Sequence, residues 1–253
     1  MDRNAALFEF LLRMGDNTLV LGHRVSEWCG HAPVLEEDIA LANTALDLIG
    51  QTQLWLGLAG EVEGQGRDAD RLAFHRDVWD FRNVLLVELP NGDMGRTIMR
   101  QFLFDAWHSI ALARLQTSSE QRVSEIAEKA SKEVTYHLER SADLVVRLGD
   151  GTDESHSRMQ SALDYLWPYA GEVLNGDDGD RELATAEIAP DPASLREEFD
   201  GLVNRVLAEA TLTRPESDFA HSGGRTGARH SEHLGHLLTQ MQWLQRAYPD
   251  ATW

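Results

Sequence analysis

The 253-residue chain is short of cysteine, of positive charge and of long apolar runs. Cys29 is the single cysteine, which excludes an internal disulfide and a Cys₄ zinc or cysteine-held iron–sulfur site, and favours a reducing compartment. Lys and Arg number 23 against 42 Asp and Glu, so the net charge of −19 disfavours nucleic acid and anionic lipid as partners. No apolar run approaches the roughly 18 residues of a membrane span, and no secretory signal pattern opens the chain. We therefore expect a cytoplasmic protein.

Strand-like alternation is also lacking, and apolar residues recur at helical spacing instead. Helices are predicted over residues 5–28, about 36–59, 94–115, 118–149, 152–173, 191–211 and 231–246. Residues 175–190 are predicted to form an acidic loop. The sequence thus predicts an all-α fold, a single domain over residues 1–253. Two long antiparallel hairpins would form its core over about 5–150, and additional helices would follow over about 152–247.

Some of these helices carry signals beyond their periodicity. The second is apolar on almost every face between Ile39 and Leu58, which is typical of a helix surrounded by protein. Asp93 ends a turn and can cap the third helix, while Ser118 and Gln121 form a candidate capping box for the fourth.

Acidic residues inside apolar helical runs are costly to bury, and four stand out, one on each of the first four predicted helices: Asp16, Asp47, Asp105 and Glu133. In an antiparallel hairpin, residues equally distant from the loop lie at the same height. With the loops centred near Ala32 and between residues 118 and 119, the two acids of each hairpin are predicted to be level. All four would then form one interior layer, as in carboxylate-bridged di-iron bundles of the ferritin-like class.

A working di-iron site also needs two histidines, each three residues after the acid on the second and fourth helices. Those positions hold Gly50 and Tyr136, so we expect a vestigial layer without catalytic residues or bound metal. In one alternative, His108 and His137 join Asp105 and Glu133 in a lopsided mononuclear site. In the other, the acids are neutralised instead, by Lys132, Arg100 or hydrogen bonds from tyrosine and histidine.

Several longer motifs make the chain resemble the C subunits of the bacterial phenylacetyl-CoA 1,2-epoxidases, multicomponent ring oxygenases of phenylacetate catabolism. The likeness runs from end to end of the chain. Its motifs are LGHRVSEWCGHAP (21–33), LANTALDLIGQ (41–51), LLVELPNG (85–92), FDAWH (104–108), KEVTYHL (132–138), RLGDGT (147–152), SEHLG (231–235) and MQWLQR (241–246).

The resemblance implies a non-catalytic, ferritin-like structural subunit without a cofactor of its own. In such a complex, a related catalytic subunit carries the di-iron centre and pairs with the structural one, and a further, small subunit joins them. A reductase with FAD and a 2Fe-2S cluster supplies electrons from NADPH. The complex inserts one oxygen atom into the ring of phenylacetyl-CoA to give an epoxide.

Other residues leave further roles open. Arg225 and Arg229 lie in a basic island and are candidate contacts for coenzyme A phosphates or for a partner carboxylate. His230, His233 and His236 are interpreted as surface or subunit contacts. Two rival functions are an autonomous ferritin-like metalloenzyme and a free-standing homodimer with a binding role.

Overall fold

A computed structural model describes residues 2–217, 219–249 and 251, and this part of the chain contains helices and no strand. None of the described helices is long and apolar enough to cross a membrane. The α-helices are α1 (Arg3–Ser26), α2 (Leu35–Glu63), α3 (Ala69–Phe74), α4 (Leu85–Glu88), α5 (Met94–Leu115), α6 (Gln121–Gly149), α7 (Asp153–Ala170), α8 (Asp178–Thr185), α9 (Arg196–Glu209) and α10 (Glu232–Ala247). The predicted all-α class is confirmed.

Two helix starts with a side-chain cap follow the sequence closely. The Asp93 carboxylate accepts the backbone N–H of Arg96 at 2.9 Å and opens α5 at the predicted residue. Thr152 accepts the N–H of Ser155 at 3.2 Å and opens α7 in the same way. The first turn of a helix has unsatisfied N–H groups, and a short polar side chain before it supplies the acceptor.

Two local predictions are wrong. The proposed capping box does not form, because the Ser118 hydroxyl donates to the carbonyl of Ile188 at 2.7 Å and α6 begins only at Gln121. The predicted acidic loop contains α8, whose first turn is closed by reciprocal bonds between Asp177 and Asp180. Carboxylates that looked like loop residues are caps of a short helix.

The chain divides into two compact units. Unit 1 spans residues 1–90 and 222–253, and its described part holds the α1–α2 hairpin with α3, α4 and α10. Unit 2 spans residues 91–221 and holds the α5–α6 hairpin with α7, α8 and α9. The division into a core over about 5–150 and additional helices over about 152–247 remains a prediction.

In unit 1, α1 and α2 approach closely because small residues line their contact. The hydroxyls of Thr18 and Thr52 lie 2.8 Å apart, and a Cβ atom on Gly15 would lie 2.5 Å from the side chain of Leu56. These pairs place the last residue of α1 level with about residue 44. The first two turns of α2 therefore extend beyond the end of α1.

The connection between α1 and α2 explains this offset. After Ser26, hydrogen-bonded turns continue along the helix direction, with the N–H of Cys29 on the carbonyl of Ser26 at 3.0 Å. The Asp38 carboxylate then accepts the N–H groups of Gly30 at 2.8 Å and Ala32 at 3.2 Å. The connecting segment therefore continues in the direction of α1 before the chain reverses. As a result, the first residues of α2 lie beyond the end of α1 along the hairpin axis.

One buried carboxylate makes several of the contacts between the C-terminal and N-terminal parts of unit 1. Glu88, at the end of α4, is fully buried and accepts the side-chain amide of Asn83 at 2.9 Å. It also accepts the N–H and hydroxyl of Ser231, at 2.7 and 2.6 Å, and contacts His230 Nδ1 at 2.5 Å. The His230 side chain is therefore a buried partner of Glu88, and its interpretation as a surface residue is wrong.

We predict that Glu88→Gln lowers the free energy of unfolding by about 2–3 kcal/mol, because the new amide N–H₂ would face donors where the carboxylate accepts. Urea unfolding measures the change, and amide hydrogen exchange over residues 222–234 should accelerate. Glu232→Gln, one residue beyond this contact and exposed, is the matched control. Equal unfolding midpoints for the two variants would show that Glu88 does not hold this segment.

Candidate functional site

The two acids of the first hairpin are not level. Thr18 lies opposite Thr52 and Gly15 opposite Leu56, so Asp16 is level with about residue 54. Asp47 lies about seven residues earlier in α2, roughly 10 Å away along the helix axis at 1.5 Å per residue. The prediction of a shared height is wrong, because the connection between α1 and α2 shifts α2 relative to α1.

The second hairpin shows the same error. The Asp105 carboxylate accepts the hydroxyl of Ser141 at 2.9 Å, and Gln116 contacts the hydroxyl of Ser131 at 2.8 Å. Ser141, and not Glu133, is therefore the α6 residue level with Asp105. Glu133 precedes it by two turns, roughly 12 Å along the axis, and is half-buried, as is Asp47.

Gly50 and Tyr136, the positions predicted for lost metal-binding histidines, lie on the surface. A Cβ atom on Gly50 would have no neighbour within 4 Å, and Tyr136 is 51% exposed. The buried positions lie one residue later on each helix, at Gln51 and His137. The two surface residues therefore carry no information about a former metal site.

Asp16 is fully buried in unit 1 and is neutralised by a guanidinium. Arg76 Nη1 donates to its carboxylate at 3.0 Å, Arg76 Nη2 donates a second bond, and the N–H of Arg82 donates at 2.8 Å. Arg76 also lies 4.4 Å from the ring centre of Phe81. A bidentate guanidinium that is itself buried satisfies a carboxylate without any metal.

Asp105 is the corresponding buried carboxylate of the unit 2 hairpin, and neutral donors bind it. Gln101 Nε2 donates to one of its oxygens at 2.7 Å and the Ser141 hydroxyl donates to the other at 2.9 Å. Burial raises the pKa of Asp105 to about 6, although the charge of His137 and both hydrogen bonds act in the opposite direction.

His108, one turn after Asp105, is a fully buried imidazole between aromatic rings. Its ring centre lies 5.1 Å from that of Phe104 and 5.8 Å from that of Trp107, to which it is nearly parallel. Neither ring nitrogen has a hydrogen-bond partner in the part of the chain that the structure describes. Burial, followed by the charge of His137, lowers the pKa of His108 to about 3, so the ring is neutral at pH 7.

No group of three or more His, Cys, Asp and Glu side chains among residues 2–217, 219–249 and 251 is placed to hold a metal ion. The proposed mononuclear site of Asp105, His108, Glu133 and His137 is therefore not assembled. A di-iron centre of the bundle type does not fit the observed donors either, because Arg76 already occupies the Asp16 carboxylate.

Comparison with known proteins identifies the family of this chain. The model of the family described as phenylacetic acid catabolic protein matches residues 1–253. The chain belongs to this family. One relative, the C subunit of the 1,2-phenylacetyl-CoA epoxidase of Escherichia coli (strain K12), is 46% identical over 247 residues, which cover 98% of this chain and 99% of the relative. The family resemblance and the ferritin-like, all-α class predicted from the sequence are confirmed.

Only some of the buried polar residues of this chain could be predicted from the sequence. Asp16 and Asp105 could be found because each interrupts an apolar helical run. Arg76 was missed because it lies outside the helices, and Arg100 and Lys132 were proposed as neutralising residues instead. Lys132 is exposed, and Arg100 Nη2 donates to the side chain of Asn91 at 2.6 Å.

The basic island remains a candidate contact. Arg225 is half-buried and its carbonyl accepts Arg13 Nε at 3.1 Å, while Arg229 is exposed. Neither arrangement identifies a ligand, and the predicted contact with coenzyme A or with a partner stays a prediction.

We predict that Asp16→Asn and Arg76→Met each lower the free energy of unfolding by about 3–5 kcal/mol, because each leaves a buried group without its partner. The double variant should lose clearly less than the sum, with a coupling energy above about 1.5 kcal/mol in a urea-unfolding double-mutant cycle. The exposed pair Glu154 and Arg158, 2.7 Å apart, is the control and should show no measurable coupling. Additive losses at Asp16 and Arg76 would contradict a buried, mutually dependent ion pair.

The two buried titratable groups of unit 2 should make stability depend on pH in opposite directions. The folded pKa of His108 lies below its ordinary value of 6.5, so the unfolded chain takes up the proton first and stability falls as pH decreases below about 6.5. The folded pKa of Asp105 lies above its ordinary value of 3.8, so its ionisation lowers stability as pH rises from about 4 to about 6.

We predict that His108→Phe reduces the stability lost between pH 7 and pH 5 by about 2 kcal/mol, whereas Asp105→Asn increases that loss by about 1 kcal/mol. Urea unfolding of each variant and of the wild type at both pH values gives the comparison. Parallel changes in the two variants would show that the groups do not titrate as their burial requires.

Proposed function

We propose that this chain is a non-catalytic structural subunit of a phenylacetyl-CoA 1,2-epoxidase. In that role it pairs with the di-iron catalytic subunit and supports it. The observation that carries the proposal is the buried ion pair between Asp16 and Arg76. The extensive identity to a relative named as the C subunit of this epoxidase supports the proposed reaction and assembly.

The ion pair argues against a metal on α1 for an electrostatic reason. Arginine does not lose its proton in proteins, so a metal ion at Asp16 would have to displace a permanent buried cation. In unit 2, Asp105 is a buried carboxylate with a pKa of about 6 and a neutral donor on each oxygen. Iron pairs of this bundle class draw on four carboxylates and two histidines.

A structural subunit gains from such an interior. A bundle whose buried carboxylate is paired with its own guanidinium folds without iron, so it can present a stable surface to a partner before and after that partner is loaded. The complex would comprise this chain, the di-iron catalytic subunit and the small third subunit in the cytoplasm. A reductase with FAD and a 2Fe-2S cluster would pass electrons from NADPH to the di-iron centre, and phenylacetyl-CoA would be the substrate.

Metal analysis tests this proposal. The chain produced alone with iron available should contain less than about 0.1 iron per chain, and chelator treatment should leave its Tm unchanged. The reconstituted complex should contain two irons per catalytic subunit and none attributable to this chain. The catalytic subunit produced alone under the same conditions is the control for iron supply. Two irons on this chain alone would overturn the proposal.

Activity of the complex separates a structural role from a catalytic one. His108→Phe and Asp105→Asn, once shown to be folded and to join the complex, should leave kcat within about twofold of the wild-type complex. Loss of epoxidation in a correctly assembled His108→Phe complex would favour the metalloenzyme alternative. Epoxidation by the isolated wild-type chain would do so as well.

A further inference from the structure

The first half of α2 carries an exposed apolar stripe, defined here as Leu35, Ile39, Ala42, Leu46 and Ile49. Leu35 and Leu46 are each 70% exposed, Ile39 is 52% and Ile49 is 37% exposed, and Ala42 is half-buried. The buried residues of this helix, among them Leu41, Leu48 and Trp55, lie on another face. Apart from Ile49, whose side chain lies next to Gly22 of α1, the stripe is additional to the side on which α2 contributes to the core.

Spacing places the stripe on one line along the helix. Its members follow one another by four, three, four and three residues, which is the apolar repeat of a helix that packs along another helix. From the first member to the last the stripe runs roughly 21 Å at 1.5 Å per residue. Its first two turns lie beyond the end of α1, so they stand clear of the hairpin partner. An exposed row of this kind marks a surface that another protein covers.

Charge decides what kind of partner fits. The whole of α2 contains no Lys or Arg, and the carboxylates on it are Glu36, Glu37, Asp38, Asp47, Glu61 and Glu63. If the α2 helix of a second copy packed against this stripe, carboxylates would lie near carboxylates and repel each other. That helix would supply no Lys or Arg to offset the repulsion. Of the carboxylates on α2, Glu36 and Asp38 lie on either side of the stripe at its first turn, and Asp47 lies beside Leu46. A helix whose apolar seam carries Lys or Arg at its border would find opposite charge at these positions.

We propose that the α2 stripe is the docking surface for an amphipathic helix of a different chain, one whose apolar seam is flanked by basic residues. The inference rests on the proposed function, under which that helix belongs to the catalytic subunit. Docking would insert the Leu and Ile side chains between those of the partner helix, and the exposed Glu36 would favour a basic border on that helix over a second copy of α2.

Binding of defined variants to the purified catalytic subunit tests the surface. Leu46→Glu and Ile39→Glu should raise the Kd at least about 100-fold, because each would bury a carboxylate in the seam. Trp243→Glu on α10 is the matched control, since it makes the same change at an apolar side chain that is 62% exposed, and its Kd should stay within about threefold of wild type. Glu36→Lys at the border should weaken binding about tenfold at low salt and less at high salt.

The possible results distinguish failure of the proposed docking surface from failure of the proposed function. If wild-type chain does not bind the catalytic subunit, the proposed function fails. If wild type binds and Leu46→Glu, with an unchanged unfolding midpoint, binds equally well, only the surface assignment fails. A homodimer of the isolated chain that Leu46→Glu dissociates in analytical ultracentrifugation would overturn the choice of a different chain. A Trp243→Glu defect as large as that of Leu46→Glu would place docking elsewhere.

Discussion

A carboxylate in the middle of α1 must be neutralised where it is buried, and Arg76 meets that requirement. The same guanidinium group contacts several parts of unit 1 besides Asp16. Its Nε donates to the carbonyl of Leu72 at 2.5 Å, its Nη1 donates to the carbonyl of Asp80 at 3.0 Å, and its charge lies over the ring of Phe81. One side chain thus fixes the segment after α3 against α1, and its removal would leave an uncompensated charge in the core.

This interaction connects the fold to the proposed role. Ferritin-like bundles that activate oxygen neutralise their interior carboxylates with iron, so their interiors change with metal loading. Here the neutralising cation is part of the chain. This construction is consistent with the proposed structural role, and the exposed apolar stripe of α2 is the surface that we propose for the partner. The buried Glu88 adds a second internal contact, which holds the C-terminal segment of unit 1.

The sequence was informative about much of the structure that depends on neighbouring residues, although the capping box at Ser118 and the loop predicted in place of α8 were wrong. The all-α class follows from periodicity, and the starts of α5 and α7 follow from Asp93 and Thr152, because a cap is decided within one helical turn. The apolar character of α2 predicted a surrounding of protein, although the described chain leaves its stripe exposed. Burial of Asp16 and Asp105 could also be predicted from the apolar runs around them.

Register could not be predicted in this way. The height of one helix against the next depends on the path of the connection between them. The hydrogen bonds that Gly30 and Ala32 donate to Asp38 have no signature in helical periodicity. The resulting shift of about seven or eight residues separates Asp16 from Asp47 and Asp105 from Glu133. Arg76 escaped prediction for a related reason, since its contact with Asp16 spans 60 positions of sequence.

Anomalous diffraction at the iron edge, from crystals of the iron-loaded complex, would show directly which cation neutralises Asp16. Iron peaks are expected in the catalytic subunit and none at Asp16 of this chain, where the density should show the Arg76 guanidinium on the carboxylate. An iron peak bonded to Asp16, with Arg76 displaced, would contradict a metal-free interior.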